Sequence, residues 1–442
     1  MTDRRTAAGL ALSLVLTAAP AALAQEEAQG LLPVPDYGGD LWNRSRLTGD
    51  WGGRRTDLAN KGVQVDVDWT QYVQGIADGG LDRKTRYGGH LDYLVNLDLM
   101  RMGLIPGGLV RFRAESRYGE SVNGVSGQVL PVNTTALFPI TNRLDEDVVV
   151  AVTDLNYTQF LSEYLAVFFG KLDTLDADLN EFASGRGKSQ FMNANFLFNS
   201  VSALRLPYST LGAGVLWLPM KNITVNASII NTTDSSTDTG FDDFGDGQTV
   251  SVETDFRYRL RGLPGGMNVG GLYSFNQDFT QIGGKLIFQP GQQLAVEQED
   301  DTWALYWSTW QYLFVEDPSD QPIDLANGVP DREGVGVFAR FGVADKDTNP
   351  VEWSASVGVG GRGIIPSRDD DVFGVGYYYT HFQETRLSGL LGFKDEGQGF
   401  ETFYNVAITP ASHLTFDLQL ADSALPQTDT AVILGGRLNL SF

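Results

Sequence analysis

Apolar and polar residues alternate along most of this chain in short, separated runs. Val63, Val65, Val67 and Trp69 oppose Gln64, Asp66, Asp68 and Thr70. Leu91, Tyr93, Val95 and Leu97 oppose Asp92, Asn96 and Asp98, and Val110, Phe112 and Ala114 oppose Arg111, Arg113, Glu115 and Arg117. The same period of two recurs over Ile223–Ile229, Val250–Arg259 and Leu414–Gln419, and again over Ala431–Phe442. Such alternation specifies strands with one apolar and one polar face. Sixteen strands are predicted, at 63–72, 90–100, 108–118, 147–160, 164–172, 210–218, 222–231, 248–261, 266–275, 302–314, 333–344, 351–360, 371–381, 398–409, 413–421 and 430–442.

The connections between these strands are unequal. Those at 73–89, 119–146, 173–209, 232–247, 276–301 and 382–397 are long, whereas 101–107, 161–163, 219–221, 262–265 and 410–412 are short; 315–332 and 345–350 break the rule. Alternating long and short connections are characteristic of a transmembrane β-barrel with short periplasmic turns and long outer loops. The even strand number agrees, because it returns both termini to one side. The longest loop, 173–209, is the third outer one and is expected to fold inward and narrow a channel. The closing strand, 431–442, places Val432, Leu434, Leu438, Leu440 and Phe442 on a lipid face and Arg437, Asn439 and Ser441 on the other.

Composition sharpens the membrane reading. No stretch after the N-terminus approaches the ~20 apolar residues of a spanning helix. The chain holds 51 Gly, 25 Phe, 16 Tyr, 8 Trp and no Cys, so no disulfide holds the fold. Arg4, Arg5, the apolar run from Leu10 to Leu23 and the small residues around Ala24 predict a secretory signal at 1–24 and an outer-membrane destination in a Gram-negative cell. Residues 25–62 then form a periplasmic lead-in with a short helix near Arg54–Lys61, stopped by Gly62, ahead of a barrel over 63–442. The formal charge of −23 argues against nucleic-acid partners.

Sixteen strands enclose a lumen too wide for side chains to fill, so the polar face meets water. A midplane Arg or Lys against lipid would cost roughly 2–4 kcal/mol, which turns the charged face inward. The pore-lining candidates are Asp66, Asp68, Asp98, Arg111, Arg113, Glu115 and Arg117 on the first three strands, with Arg186, Lys188 and Arg205 in the third loop. Trp69, Tyr93, Phe112, Phe256 and Phe416 should point outward and Arg257 inward. Each lumen charge has two readings, an ion pair stiffening the wall or a contact with solute.

Leu47-Thr-Gly-Asp-Trp-Gly-Gly-Arg-Arg-Thr-Asp-Leu-Ala59, Asp331–Gly342, Gly360–Gly376 and the closing strand together resemble the OprB-type carbohydrate-selective porins of the outer membrane. The resemblance covers about 40–442. It implies passive diffusion of monosaccharides such as glucose past a ring of Arg, acidic and aromatic residues, to which Arg111, Arg113 and Glu115 correspond in character. Expected partners are small sugars and outer-membrane lipid, with the chain a monomer or a homotrimer. The alternative is a porin of the same build for other hydrophilic solutes, such as carboxylates.

Catalytic chemistry is not indicated. The three His, His90, His381 and His413, lie in no nucleophile motif or metal-ligand spacing. Asp242-Asp-Phe-Gly-Asp-Gly247 lacks the closing Glu of a calcium loop and reads as a solvated acidic turn. No enzyme activity and no cofactor are expected.

Overall fold

The computed structural model describes residues 30–137, 150–175, 180–284, 286–287, 295–316, 332–384 and 392–442. The expected signal segment, 1–24, lies outside them. Sixteen antiparallel strands close into one barrel. They are β1 Val63–Asp78, β2 Thr85–Asp98, β3 Gly108–Gly119, β4 Ala151–Ser162, β5 Leu165–Asp173, β6 Ser209–Met220, β7 Ile223–Asn231 and β8 Gln248–Leu260. The second half comprises β9 Leu263–Thr280, β10 Gln298–Val315, β11 Gly334–Ala344, β12 Val351–Arg362, β13 Val372–Phe382, β14 Glu396–Thr409, β15 Ser412–Asp422 and β16 Ala431–Ser441. Each strand pairs with its neighbours in sequence, and β16 closes on β1 with Trp69 opposite Leu440 and Tyr72 opposite Arg437. Closure leaves no unpaired edge, which a barrel in lipid requires.

Facing follows the alternation. Phe416 is 57% and Leu305 56% exposed on the outside, while Asp92, Arg111, Arg113 and Arg257 are buried on the inside. Trp69, Tyr93, Phe112 and Phe256 share the outward phase. A belt of exposed apolar side chains would be an aggregation hazard in water and is the natural surface in a bilayer. Among the described residues no helix is long and apolar enough to cross a membrane.

The lead-in is anchored by its own motif. Asp50 Oδ1 accepts the Thr56 N–H and hydroxyl, both at 2.8 Å, at the start of the helix Arg54–Asn60. Gly52 and Gly53 take φ of 71° and 93°, a region open to glycine. The turn they make sets the buried Arg55 guanidinium 4.2 Å from the Tyr37 ring and 5.0 Å from Trp51. Arg55 also donates to the carbonyls of Val65 at 2.6 Å and Phe442 at 2.9 Å, tying the helix to both the first and the last strand. Farther up the chain, Leu31 and Leu32 pack inside the barrel against Leu109, Phe160, Ala166 and Leu216.

Two outer connections fold into the lumen rather than away from it. The third, between β5 and β6, packs Phe182, Phe191 and Phe196 against Trp310, Tyr312, Phe338, Tyr378 and Phe403 on β10, β11, β13 and β14. Space for these rings comes from glycines on the inner face. A Cβ on Gly336 would lie 2.4 Å from Phe182, one on Gly376 2.5 Å from Phe196, and one on Gly374 2.8 Å from Phe191. The second connection, between β3 and β4, lies over the third: Thr134 N–H donates to Met192 O at 2.9 Å, and the Ala194 N–H to Pro131 O at 2.9 Å.

The channel and its charged wall

The third loop carries Gly185-Arg186-Gly187, three consecutive residues at φ 79°, 52° and 73°. Such a conformation is costly for a residue with a side chain, by ~1–3 kcal/mol, and the flanking glycines make the tight turn feasible. Its result is that Arg186 points at the wall formed by β2–β5. Arg186 Nη1 donates to Asp173 Oδ2 at 2.8 Å and Nη2 to Glu115 Oε1 at 3.0 Å. Arg113 Nη1 reaches the same Asp173 Oδ2 at 2.8 Å, and its Nε lies 3.7 Å from Asp92 Oδ1. Tyr208 accepts from Arg186 and donates to Glu115, Lys188 pairs with Asp92, and His90 Nε2 sits 3.4 Å from Glu115 Oε1. One step along β3, Arg111 Nε lies 3.3 Å from Asp154 Oδ2.

Cations and carboxylates are interleaved throughout this cluster, and most are nearly inaccessible. Breaking a buried pair strands the remaining charge at a cost of about 3–5 kcal/mol, so the network holds the loop firmly in one place. Burial pulls Lys188 below the usual lysine range, with Asp68 offsetting part of the effect. Burial pushes the Tyr208 hydroxyl well above the usual range, keeping it a neutral donor to Glu115.

The predicted pore residues divide into groups. Arg111, Arg113, Glu115, Arg186 and Lys188 converge on the wall cluster, and Asp68 lies within its field while accepting from Ser441 Oγ at 2.7 Å. Arg117 is on the same inward face but donates to Ala136 O of the second loop at 2.6 Å. Three candidates are elsewhere. Asp66 binds Arg46 at 2.6 Å and Arg55 at 3.0 Å and so fastens the lead-in. Asp98 accepts the Leu32 and Arg101 N–H groups, each at 2.9 Å, and does the same work higher in the lead-in. Arg205 stands over the Phe279 ring at 5.8 Å, at the outer end of β9.

Four members of the cluster, His90, Asp154, Asp173 and Tyr208, are not in the predicted pore set. His90 shares the inner phase of Asp92 and is legible from alternation; Asp173 and Tyr208 lie just outside the predicted strands 164–172 and 210–218, and Asp154 sits at a register shift against β3 that breaks the alternation. The loop is also held on its far side by residues outside the predicted pore set. Arg340 donates to Phe196 O at 2.5 Å and Ala183 O at 2.6 Å, and Arg437 to Gln190 O at 2.7 Å and to Gly187 O. Glu401 accepts the Met192 N–H at 2.5 Å and the Asn193 N–H at 2.9 Å.

With β2–β5 and β10–β16 covered by loop, inward residues of β7 and β8 keep partial exposure: Asn226, Ser228, Ser251, Glu253 and Asp255. They form a polar strip of donors and acceptors. His90, Asp92 and Glu115 come close enough to share a metal ion, as do Glu299, Asp301 and Asp345. In the first group Arg113, Arg186 and Lys188 already supply the positive charge, so a cation is disfavoured there.

A closed sixteen-stranded antiparallel barrel, apolar outside, polar inside and crossed by an outer loop, is the build of an outer-membrane porin. The family model "Carbohydrate-selective porin, OprB family" matches residues 82–442, and the chain belongs to that family. Among solved structures it is similar to the high-pH structure of Pseudomonas putida OprB, with a TM-score of 0.76 and 21% identity over 90% of this chain and 98% of that one. It is also similar to the low-pH structure of the same protein, with a TM-score of 0.57 and 18% identity over 91% and 99% of the two chains. No curated protein sequence matches. The family and fold support a sugar-porin role in the outer membrane and are those of a channel rather than an enzyme.

Proposed function

We propose that the chain forms a passive diffusion channel for small neutral carbohydrates, monosaccharides such as glucose, moving down their gradient without energy coupling. The observation that carries this reading is the loop-narrowed lumen with a polar strip on β7 and β8. Hydroxyl-rich solutes exchange hydrogen bonds with water for hydrogen bonds with Asn226, Ser228, Ser251, Glu253 and Asp255 at little net cost. The partly exposed carboxylates Glu253 and Asp255 on this strip keep the passage wet and unfavourable to apolar molecules.

A carboxylate channel of the same build is the second reading. It is less well supported, because the wall cations are neutralised by Asp92, Glu115, Asp154 and Asp173, while Glu253 and Asp255 repel anions. The proposed anatomy is a signal at 1–24, a lead-in at 25–62 and a barrel at 63–442, acting as a monomer or a homotrimer. Liposome swelling separates the two readings. Glucose should enter faster than a disaccharide and faster than gluconate. Faster entry of gluconate than glucose would favour the carboxylate channel, and no swelling with any solute would remove both.

A further inference from the structure

Arg205 is left outside the wall cluster, and its surroundings form a second site. Strand β9 alternates regularly, with Leu272 and Ser274 inward, until Asn276 takes φ 60°. A register shift against β10 falls at the same place, between Glu299 and Asp301. The irregularity reverses the phase of the strand, so that Phe279 turns inward and is 8% exposed. Arg205, in the last turn of the third loop, lies with its guanidinium 5.8 Å from that ring. The two line a cavity of about 500 Å³ together with Thr232, Gln277, Asp278 and Thr348. A volume of this order is usual for small-molecule sites.

Two buried polar atoms in the lining have no hydrogen-bond partner: Arg205 Nε and Thr232 Oγ1. Buried donors and hydroxyls are normally satisfied, so these two mark a place where a ligand or water completes the bonding. The lining offers a planar cation, a hydroxyl, an amide and a carboxylate. The field of Asp345 acts on Arg205, and Asp278 adds a second negative group, which disfavours an anionic ligand. Neutral polyols match the set: adjacent hydroxyls accept from a guanidinium and donate to an amide or carboxylate oxygen.

We propose that this cavity, at the outer mouth where the third loop meets the ends of β7 and β9, captures a neutral hexose before it reaches the charged wall. The proposal rests on the reading of the chain as a sugar channel. Capture at the mouth raises the rate of entry from that side alone.

Single-channel recordings with glucose added to one side at a time give separate block rates for outer and periplasmic entry. In the unaltered protein the outer rate should exceed the periplasmic rate. Thr232→Val removes the hydroxyl with little change of shape, and Arg205→Gln removes the guanidinium. Each should lower the ratio of outer to periplasmic rate by about threefold to tenfold, the scale of one lost hydrogen bond. An unchanged ratio in Thr232→Val and Arg205→Gln overturns the capture site while leaving the channel reading intact. A ratio that falls for gluconate but not for glucose assigns the site to anions and also overturns it. Absence of glucose block from either side of the unaltered protein would refute the sugar channel and this site with it.

Discussion

At the scale of single residues, the interior is governed by which polar groups the third loop can satisfy on the wall. Glu181, in that loop, accepts the Tyr312 hydroxyl at 2.7 Å. Loss of hydration pushes its carboxyl above the ordinary value of 4.5, against the opposing effects of Tyr312, Arg257, Arg332 and Arg362. A group whose value is raised in the docked state favours docking while it holds its proton. That contribution is fully present below the ordinary value and is lost as pH rises through the raised one. Limited proteolysis of the third loop should therefore quicken as pH climbs above 4.5, and Glu181→Gln should flatten this dependence. Identical pH profiles for the two proteins would show that Glu181 plays no part. Neighbouring glycines act at the same scale. Gly336, Gly374 and Gly376 are explained by the rings of Phe182, Phe191 and Phe196, which occupy the volume a Cβ would need.

At the scale of elements, the strands were legible and the loops were not. All sixteen predicted strands overlap the observed ones, since a lipid-facing apolar residue alternating with a lumen-facing polar one leaves a local signature. The first hairpin is the main discrepancy: β1 and β2 run on to Asp78 and back to Thr85, shortening the loop predicted at 73–89 to 79–84. There Tyr72, Gln74 and Ile76 mix polar and apolar residues on the inner face, because the second loop packs over them and the wall is no longer purely wet. The inward fold of the third loop was anticipated from its length. Its anchors were not, since Arg340, Glu401 and Arg437 are distant in sequence and pair mainly with backbone groups that have no residue signature. For the same reason Asp66 and Asp98 were read as lumen charges: alternation gives their face, and only the folded lead-in shows what they bind. Removing the far-side anchors tests the role of the loop. Arg340→Ala leaves two carbonyls without their donor, at about 1–3 kcal/mol each, and combined with Arg437→Ala should free one side of the loop. Single-channel conductance should rise and become noisier in the double variant. Unaltered conductance would mean that the loop does not set the width.

For the whole molecule, closure, charge and loop placement combine into one device. The barrel presents its apolar surface to lipid and removes every sheet edge, and the lead-in ties the first strand to the last through Arg55. The lumen is then divided. One side is filled by loops held through ion pairs and aromatic rings, and the other is left as a polar strip on β7 and β8. Arg111, Arg113, Arg186 and Lys188 are paired with carboxylates of the wall, and the passage is bordered by what the loops leave uncovered. The central claim is that neutral sugars pass through this remainder. Its most direct test is the ion current of a single channel in a planar bilayer titrated with glucose. Glucose should cause a saturable, reversible fall in current with no added energy source. A current indifferent to glucose at every concentration would contradict it.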